Sequence, residues 1–342
     1  RGAMVSDPGP GGLPAKWAAR LADRFVSRRI AARASGPDGP FVVSVGNLAL
    51  GGTGKTPVVI SLARGLAEAG YSGAVLTRGY GSRLKGPLAV VPDNALAGDE
   101  ARLMAAALAD RDWLVVQAQE RWRGLAMVSE KSPGRQVLIL EDGHQTAGIA
   151  RDLDIVLLDA WVVENASEGT RLKPVTGPVF PFGPWRESAR GAARAQVLLL
   201  ETDAGELPPG TDGQEVVTFQ RRLTLRTPVG DLWECPAGAT SGVLSGIARP
   251  ESFENTLAGT LDQDPVLAIR CGDHADYGPR LVREIARAAR ESQVDFVVTT
   301  AKDWIKLAPF WPSDPAVVVA DLEIRWGQGK TLPELVGARL DS

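Results

Sequence analysis

Short apolar runs alternate along residues 41–201 with stretches whose apolar residues recur every three or four positions. Near-continuous apolar runs are typical of strands buried on both faces of a parallel sheet, and the longer spacing is typical of amphipathic helices. The predicted strands are 41–50, 72–79, 113–118, 135–143, 153–160 and 195–201, and the predicted helices are 57–70, 99–110 and 121–131. This alternation predicts an α/β fold, with a parallel sheet that helices cover on both faces.

The stretch SVGNLALGGTGKTP at 44–57 joins the first strand to the first helix. A glycine-rich turn before a helix binds phosphate, because main-chain N–H groups and the helix N-terminus attract anions. The sequence therefore predicts a P-loop NTPase-type site for ATP, formed by Gly51, Gly52, Thr53, Gly54, Lys55 and Thr56. We expect Lys55 to reach the β- and γ-phosphates and the Thr56 hydroxyl to bind Mg²⁺. Ala49 stands where the common pattern has its first glycine.

A second α/β unit follows a polar stretch at 202–213. Residues 215–228 resemble β-ribbon, strands are predicted at 243–248, 265–271, 295–303 and 316–324, and helices at 250–261, 278–292 and 330–340. The pattern predicts a tail with a basic amphipathic helix (1–40), a P-loop domain (41–210), a smaller C-terminal α/β domain with the ribbon as linker (211–325), and a closing helix (326–342). Residues 161–187 are predicted to form a long loop, which inside a domain is usually functional or disordered.

Composition and charge disfavour several classes of partner and location. The net charge of −3 over 342 residues gives no support for a nucleic-acid partner. Two cysteines without a CxxC motif favour a reducing, cytoplasmic compartment. No apolar run reaches the roughly 18 residues of a transmembrane helix.

The predicted helix at 14–33 has Trp17, Leu21 and Phe25 on one face and carries six basic residues against one acidic residue. It either packs on the protein's own core or lies on an anionic membrane surface.

A P-loop needs an acidic partner for its metal ion at a neighbouring strand end. Glu141 and Asp142 end the apolar run at 137–140, and Asp159 ends the next one. We expect Thr56, Glu141 and Asp142 to form the metal site, with Asp142 favoured over Asp159 as the main metal carboxylate.

The two histidines exclude a metal site built from several histidines. His144 and His274 both lie in polar loops. Phosphoryl transfer to a hydroxyl benefits from a base that orients the acceptor, and His274 is placed for this role if the two domains face each other. Asp99 and Glu100 start a helix, where acidic residues commonly stabilise the helix dipole. From the residues alone this capping role is favoured.

Three further residues follow the second strand. Arg78, Tyr80 and Arg83 form a cationic, hydroxyl-bearing patch suited to phosphates or sugars. Guanine recognition is disfavoured, because Lys302 and Asp303 in TTAKD are adjacent rather than separated by one residue.

Eight segments together resemble the tetraacyldisaccharide 4′-kinases of lipid A biosynthesis. They are SVGNLALGGTGKTP, LTRGYGSR, AGDEARLMA, LEDGHQTAGIARDLDIVLLDA, GPWRES, SGIARPESF, DHADY and TTAKDWIKL, in the family's order over about residues 41–310. The resemblance implies phosphorylation by ATP of the 4′-hydroxyl of a tetraacylated glucosamine disaccharide 1-phosphate. It also implies a lipid disaccharide as partner, at the cytoplasmic face of the bacterial inner membrane. The family shares this altered first turn of the P-loop, with Gly46 and Asn47 upstream.

The resemblance assigns roles to individual residues. It implies that Asp99 is the catalytic base and that His274 pairs with it, which replaces the capping interpretation. It places Glu141 and Asp142 near Mg²⁺, and Arg121 and Arg186 near the nucleotide and the active-site cleft. With the residue patterns above, we expect contacts with substrate or phosphate from Arg78, Tyr80, Glu100, Arg121 and Arg186.

The chain departs from the family pattern at several points. Thr146 follows Gln145 where the family often has His, and His144 precedes it. The basic helix at 14–33 replaces the family's usual hydrophobic helix, which favours peripheral membrane attachment. Two alternative functions remain open at this stage: a P-loop ATPase switch with a protein partner, and a kinase for a different sugar or lipid acceptor.

Overall fold

The computed structural model of the protein describes residues 39–342 except 52–53, 132–133, 167–168 and 205–206. The predicted helix at 14–33 therefore lies outside the described residues. In the described part of the chain, no helix combines the length and the apolar character needed to cross a membrane.

Fourteen strands and seven α-helices are found in the described residues. The strands are β1 (Phe41–Asn47), β2 (Gly73–Thr77), β3 (Leu88–Ala89), β4 (Trp113–Gln117), β5 (Val137–Glu141), β6 (Leu153–Leu158), β7 (Trp161–Ala166), β8 (Gly169–Pro174), β9 (Val197–Glu201), β10 (Glu215–Arg226), β11 (Ser241–Ser245), β12 (Leu267–Arg270), β13 (Phe296–Thr300) and β14 (Ala316–Trp326). The helices are α1 (Lys55–Glu68), α2 (Asp99–Ala107), α3 (Arg121–Lys131), α4 (Pro250–Leu261), α5 (Pro279–Glu291), α6 (Ala301–Leu307) and α7 (Leu332–Leu340).

Twelve of the strands form one sheet in the order β12-β11-β13-β14-β10-β9-β6-β1-β5-β2-β4-β3. Neighbouring strands are parallel except at two places: β3 against β4, and β10 against β14. Strands β2, β5 and β6 are buried at every residue, as expected for strands covered on both faces. One apolar cluster includes side chains of α1, α2 and α7, and a separate cluster includes α3. The predicted α/β class is confirmed.

A long antiparallel ribbon joins the two halves of this sheet. Strand β10 pairs in parallel with β9 over residues 215–219 and then antiparallel with β14 over residues 219–226. Strand β14 in turn pairs with β13 over residues 316–320. We refer below to strands β1–β6 and β9 with α1–α3 as the first half, and to strands β11–β13 with α4–α6 as the second half. The domain boundaries inferred from the sequence remain a prediction.

Two expectations about secondary structure are wrong. The predicted loop at 161–187 contains a hairpin, in which β7 pairs antiparallel with β8. The predicted strand at 295–303 ends at Thr300, where the Thr300 side chain accepts a hydrogen bond from the Asp303 main chain and caps α6. The closing helix is present as α7, with a capping box between Thr331 and Glu334.

Candidate active site

The phosphate loop leads from the end of β1 into α1. Gly54 precedes the helix with a φ of 77°, a left-handed conformation that glycine adopts without steric cost. The Lys55 ammonium is only 7% exposed; it donates to Asn47 Oδ1 at 3.1 Å and lies 3.3 Å from Asp142 Oδ1. Thr56 is buried beside it. Gly52 and Thr53 of the predicted loop lie outside the described residues, so their placement at the phosphates remains a prediction.

A neighbouring segment fixes the chain at the position where the common pattern has its first glycine and this chain has Ala49. The Leu50 main-chain N–H donates to Pro184 O at 2.6 Å, and the Arg186 main-chain N–H donates to Leu48 O at 2.8 Å. Ala49 itself forms a β-bridge with Trp185. The segment 184–186 therefore fixes the path of residues 48–50 by main-chain pairing, which any residue with a free N–H and C=O allows.

Gly46 makes room for a buried polar cluster behind the loop. A Cβ on Gly46 would lie 2.8 Å from the His144 main-chain nitrogen, well inside contact distance. His144 Nδ1 lies 2.9 Å from Asp154 Oδ2, and the Arg194 guanidinium lies 2.9 Å from His144 Nε2. Arg194 also pairs with Glu187 at 2.8 Å. Because His144 is fully buried in this cluster, we interpret it as a structural residue that supports the strand ends.

Asp142 and Glu141 end β5 beside the P-loop, in contrasting environments. Burial raises the pKa of Asp142, but the charges of Lys55 and Arg186 outweigh burial and hold it below its usual range. Burial, with the charges of Glu100 and Asp142, raises the pKa of Glu141 to about 7. The Thr77 hydroxyl donates to Glu141 Oε2 at 2.8 Å. The two adjacent carboxyl groups therefore favour different protonation states.

The donor set fits Mg²⁺ held jointly with nucleotide phosphates. Thr56, Glu100, Glu141 and Asp142 all line one cleft and offer hydroxyl or carboxylate oxygen, the ligands that Mg²⁺ prefers. Among the described residues no cluster of three or more His, Cys, Asp or Glu side chains forms a metal site by itself. A site of this kind is typical of Mg²⁺ in phosphotransferases, where one or two carboxylates act with substrate phosphates. Asp159 also lies near Lys55 and Arg221 and remains the competing carboxylate.

Arg121 and Arg186 occupy different positions relative to the cleft. Arg186 donates to both carboxylate oxygens of Asp142, at 2.8 and 2.9 Å, and lines the cleft. Arg121 is buried, and its guanidinium donates to Leu76 O and Glu141 O at the ends of β2 and β5. Its substrate contact remains a prediction. Its geometry favours an indirect role, in which Arg121 fixes the strand ends that carry Thr77 and Glu141.

Asp99 and His274 meet across the two halves of the molecule. Asp99 begins α2 in the first half, and His274 follows β12 in the second half. His274 Nδ1 lies 3.2 Å from Asp99 Oδ2, and the same oxygen accepts a hydrogen bond from Lys306 Nζ at 3.0 Å. Asp99 is thus held by two groups from the second half. Its position at the first turn of α2 is also favourable for a carboxylate, so the capping role and the pairing role coexist.

The remaining predicted contacts lie around this pair. The ring of Tyr80, 74% exposed, lies 5.6 Å from the His274 ring. Arg78, Tyr80, Glu100 and His274 line the same cleft as Lys55 and Asp142. The cleft has a volume of about 2020 Å³ and runs between the two halves, with residues of β10 and β14 on one side. Arg83 contacts Asp276 at 3.5 Å through exposed side chains.

Sequence reasoning missed two basic residues of this site. Lys306 lies in the TTAKDWIKL segment but carried no assigned role. Arg221 of β10 packs on the phosphate loop: a Cβ on Gly54 would lie 2.6 Å from Arg221 Nη2. Arg221 also pairs with Glu201 at 3.4 Å. The only available signal for Arg221 was its place in the predicted ribbon.

The sequence profile of a family described as "Tetraacyldisaccharide-1-P 4′-kinase" matches residues 14–341. The chain belongs to the tetraacyldisaccharide 4′-kinase family. It is 36% identical over 296 residues to the tetraacyldisaccharide 4′-kinase of Dinoroseobacter shibae, covering 82% of this chain and 79% of that protein. It is 34% identical over 293 residues to the enzyme of Maricaulis maris, covering 82% and 78%. The family expected from the motifs, and the phosphotransferase class, are confirmed.

A solved structure of a tetraacyldisaccharide 4′-kinase family member shares the fold. It is the LpxK protein of Aquifex aeolicus, described as an "apo" form in complex with ATP. The TM-score is 0.68, the alignment covers 96% of each chain, and the sequences are 24% identical. At this identity the likeness supports the P-loop kinase fold of the present family member, and the roles of its individual residues rest on its own geometry.

Proposed function

We propose that this family member transfers the γ-phosphoryl group of ATP to the 4′-hydroxyl of a tetraacylated glucosamine disaccharide 1-phosphate. The observation that carries the proposal is the shared cleft: the phosphate loop with Lys55 lies in the first half, and His274, paired with Asp99, faces it from the second half. This arrangement leaves space for a nucleotide on one wall and for an acceptor between the halves.

The phosphate-binding residues act through charge. Lys55 is positioned at the start of α1, where its ammonium and the helix N-terminus attract the β- and γ-phosphates. This ammonium also pairs with Asp142, at 3.3 Å from Oδ1. Thr56, Asp142 and Glu141 would hold Mg²⁺, which neutralises negative charge that develops on the transferring phosphoryl group. Arg186 keeps Asp142 ionised and oriented for that task.

Asp99 is the proposed general base. Its carboxylate would accept the proton of the acceptor hydroxyl as the oxygen bonds to phosphorus. His274 orients Asp99 through the contact between Nδ1 and Oδ2. Because the acceptor enters between the halves, we infer that the bound acceptor excludes water, which otherwise competes as the nucleophile.

We also propose a peripheral location on the cytoplasmic face of the bacterial inner membrane. The acylated acceptor resides in a membrane, and the sequence at 14–33 combines an apolar face with six basic residues. Basic amphipathic helices of this kind bind anionic lipid surfaces.

An assay with γ-labelled ATP tests the proposed reaction. The protein, with Mg²⁺, is offered the tetraacylated disaccharide 1-phosphate, the same disaccharide without acyl chains, or no acceptor. We expect label to enter the acylated acceptor. Label that enters the deacylated sugar equally well would favour a soluble-sugar kinase, and ATP hydrolysis without transfer would favour an ATPase switch.

A further inference from the structure

Lys306 is held at the junction of the two halves by three separate contacts. Its ammonium donates to Asp99 Oδ2 at 3.0 Å and to Ala275 O at 2.8 Å, and it lies 5.2 Å from the centre of the Tyr277 ring. The side chain is only 11% exposed. A long, flexible lysine in so many contacts has lost most of its rotamer freedom, which is unusual for a residue without a specific task.

The helix that carries Lys306 is itself rigidly anchored in the second half. Asp303 is fully buried; its Oδ2 accepts hydrogen bonds from the Gly246 main chain at 2.9 Å and the Thr300 hydroxyl at 2.7 Å. The Tyr277 hydroxyl donates to Asp303 Oδ1 at 3.1 Å. Tyr277 therefore packs against both Asp303 and Lys306. This network fixes α6 relative to the loop that contains His274.

A second contact ties α6 to α2. The Arg102 guanidinium donates to Ile305 O at 3.1 Å and to Pro92 O at 2.8 Å. Arg102 lies one turn after Asp99 on α2, and Ile305 directly precedes Lys306. The start of α2 and the middle of α6 are thus joined twice, through Arg102 and through Lys306.

We propose that Lys306 is a positioning residue for the base Asp99, a deepening that rests on the proposed function. Both Lys306 and His274 contact Oδ2 of Asp99. Within the described residues no hydrogen bond reaches the other oxygen, Oδ1. Two donors on one oxygen fix the rotation of the carboxylate group, and they leave Oδ1 as the oxygen that would accept the proton of an acceptor hydroxyl. A positioned base is effective because small errors in orientation cost large factors in rate.

The cation has a further effect on the pair. His274 alone is a single, partly exposed donor, whereas Lys306 adds a fixed positive charge beside the carboxylate. The bond to Ala275 O holds the segment next to His274 at the same time. Lys306 therefore holds Asp99 and the segment that carries His274 in one geometry.

Kinetics of three variants test the proposal: Lys306→Met, Lys306→Arg and Lys131→Met. Lys131 is an exposed lysine at the end of α3 and serves as the control. We expect Lys306→Met to lower kcat by about 10- to 100-fold, by analogy with the loss of residues that orient metal ligands. The KM for ATP should change by less than about twofold, since the phosphate loop is untouched. Lys306→Arg should recover much of the rate, and Lys131→Met should behave as wild type.

A double variant separates positioning from simple structural support. In an Asp99→Asn background, Lys306→Met should cost less than about threefold, because residues that act as a unit are non-additive. A full additional loss in that background would overturn the proposal, as would a wild-type kcat for Lys306→Met. So would an equal loss in Lys306→Arg and Lys306→Met accompanied by a matching drop in melting temperature. Failure of the proposed base is recognised separately, since Asp99→Asn alone would then retain the wild-type rate.

Discussion

His274 Nδ1 lies 3.2 Å from Asp99 Oδ2, although 175 positions separate the two residues in the sequence. The pair joins the two halves of the molecule at the cleft that also contains the phosphate loop. His274 has a φ of 60°, in the left-handed region that is uncommon for residues other than glycine, although histidine occurs there more often than most. Backbone strain of this kind persists where the surroundings fix it, and it is common at functional sites.

This pairing predicts a non-additive effect on the rate. Asp99→Ala should lower kcat by about 10²- to 10⁴-fold, because a general base contributes that much. His274→Ala should lower kcat as well, and the double variant should lose far less than the product of the two single effects. Steady-state kinetics with a saturating acceptor measure all three. Multiplicative losses in the double variant would contradict a shared role.

Lys55 offers a test of the phosphate loop. Lys55→Met should reduce transfer by about 10²- to 10³-fold or more, because the ammonium stabilises charge that develops on the phosphoryl group. Lys55 is buried and pairs with Asp142, so its loss also affects the local structure; Arg186 remains as a partner for that carboxylate. The kinetic effect should therefore exceed any change in melting temperature. Wild-type turnover in the folded variant would refute the assignment.

The raised pKa of Glu141 predicts a pH-dependent stability. The folded protein holds a proton on Glu141 up to about pH 7, whereas the unfolded chain releases it near 4.5. Between these pH values the folded state therefore binds more protons than the unfolded chain. The contribution of Glu141 to the free energy of unfolding falls as the pH rises from about 4.5 to 7. In Glu141→Gln this fall should be smaller. Urea unfolding at pH 5 and pH 8, without Mg²⁺ and nucleotide, measures the difference; equal pH dependence in both proteins would refute it.

Two glycines predict opposite effects of the same substitution. Gly46→Ala would place a Cβ against the main chain of His144, which cannot move without disturbing the buried cluster around Asp154. We expect a destabilisation of about 1–3 kcal/mol, typical of overpacking. Gly259→Ala, within α4, meets open space and should be neutral or stabilising by up to about 1 kcal/mol. Thermal unfolding distinguishes them, and equal melting temperatures would contradict the steric argument.

Much of the fold follows from the apolar pattern alone. The strands β1, β2, β5 and β6 are near-continuous apolar runs, and the first helices of the chain carry amphipathic spacing. The hairpin β7–β8 could not be predicted in this way, because its sequence mixes charged and apolar residues and its stability comes from cross-strand pairing. Helix α6 was missed because the apolar run before it continues into TTA, and the Thr300 cap is a weak signal.

The residues of the site also differ in how far the sequence alone predicts them. Local chemistry predicted the phosphate loop and the carboxylates at the end of β5, since each is read within one strand and the loop that follows it. The partners of Asp99 could not be derived from spacing: Lys306 lies 207 positions away. His274 was found through resemblance, and Lys306 was found only when folding brought α6 against α2. Long-range contacts of this type depend on how the halves pack, which no local pattern contains.

The segment at 14–33 allows a last prediction about the membrane. If this basic helix lies at the interface, its arginines and lysine contact anionic headgroups, and each contributes about 1 kcal/mol at most. Six basic residues and one acidic residue then give a few kcal/mol in total, enough for reversible association. High salt should release the protein, because screening shortens the reach of these charges.

The protein should sediment with anionic vesicles and much less with neutral ones. Removal of residues 1–33 should lower activity on acceptor in vesicles but not on acceptor in detergent. Undiminished binding of the shortened chain to anionic vesicles would mean that the membrane contact lies elsewhere and that the helix packs on the protein itself.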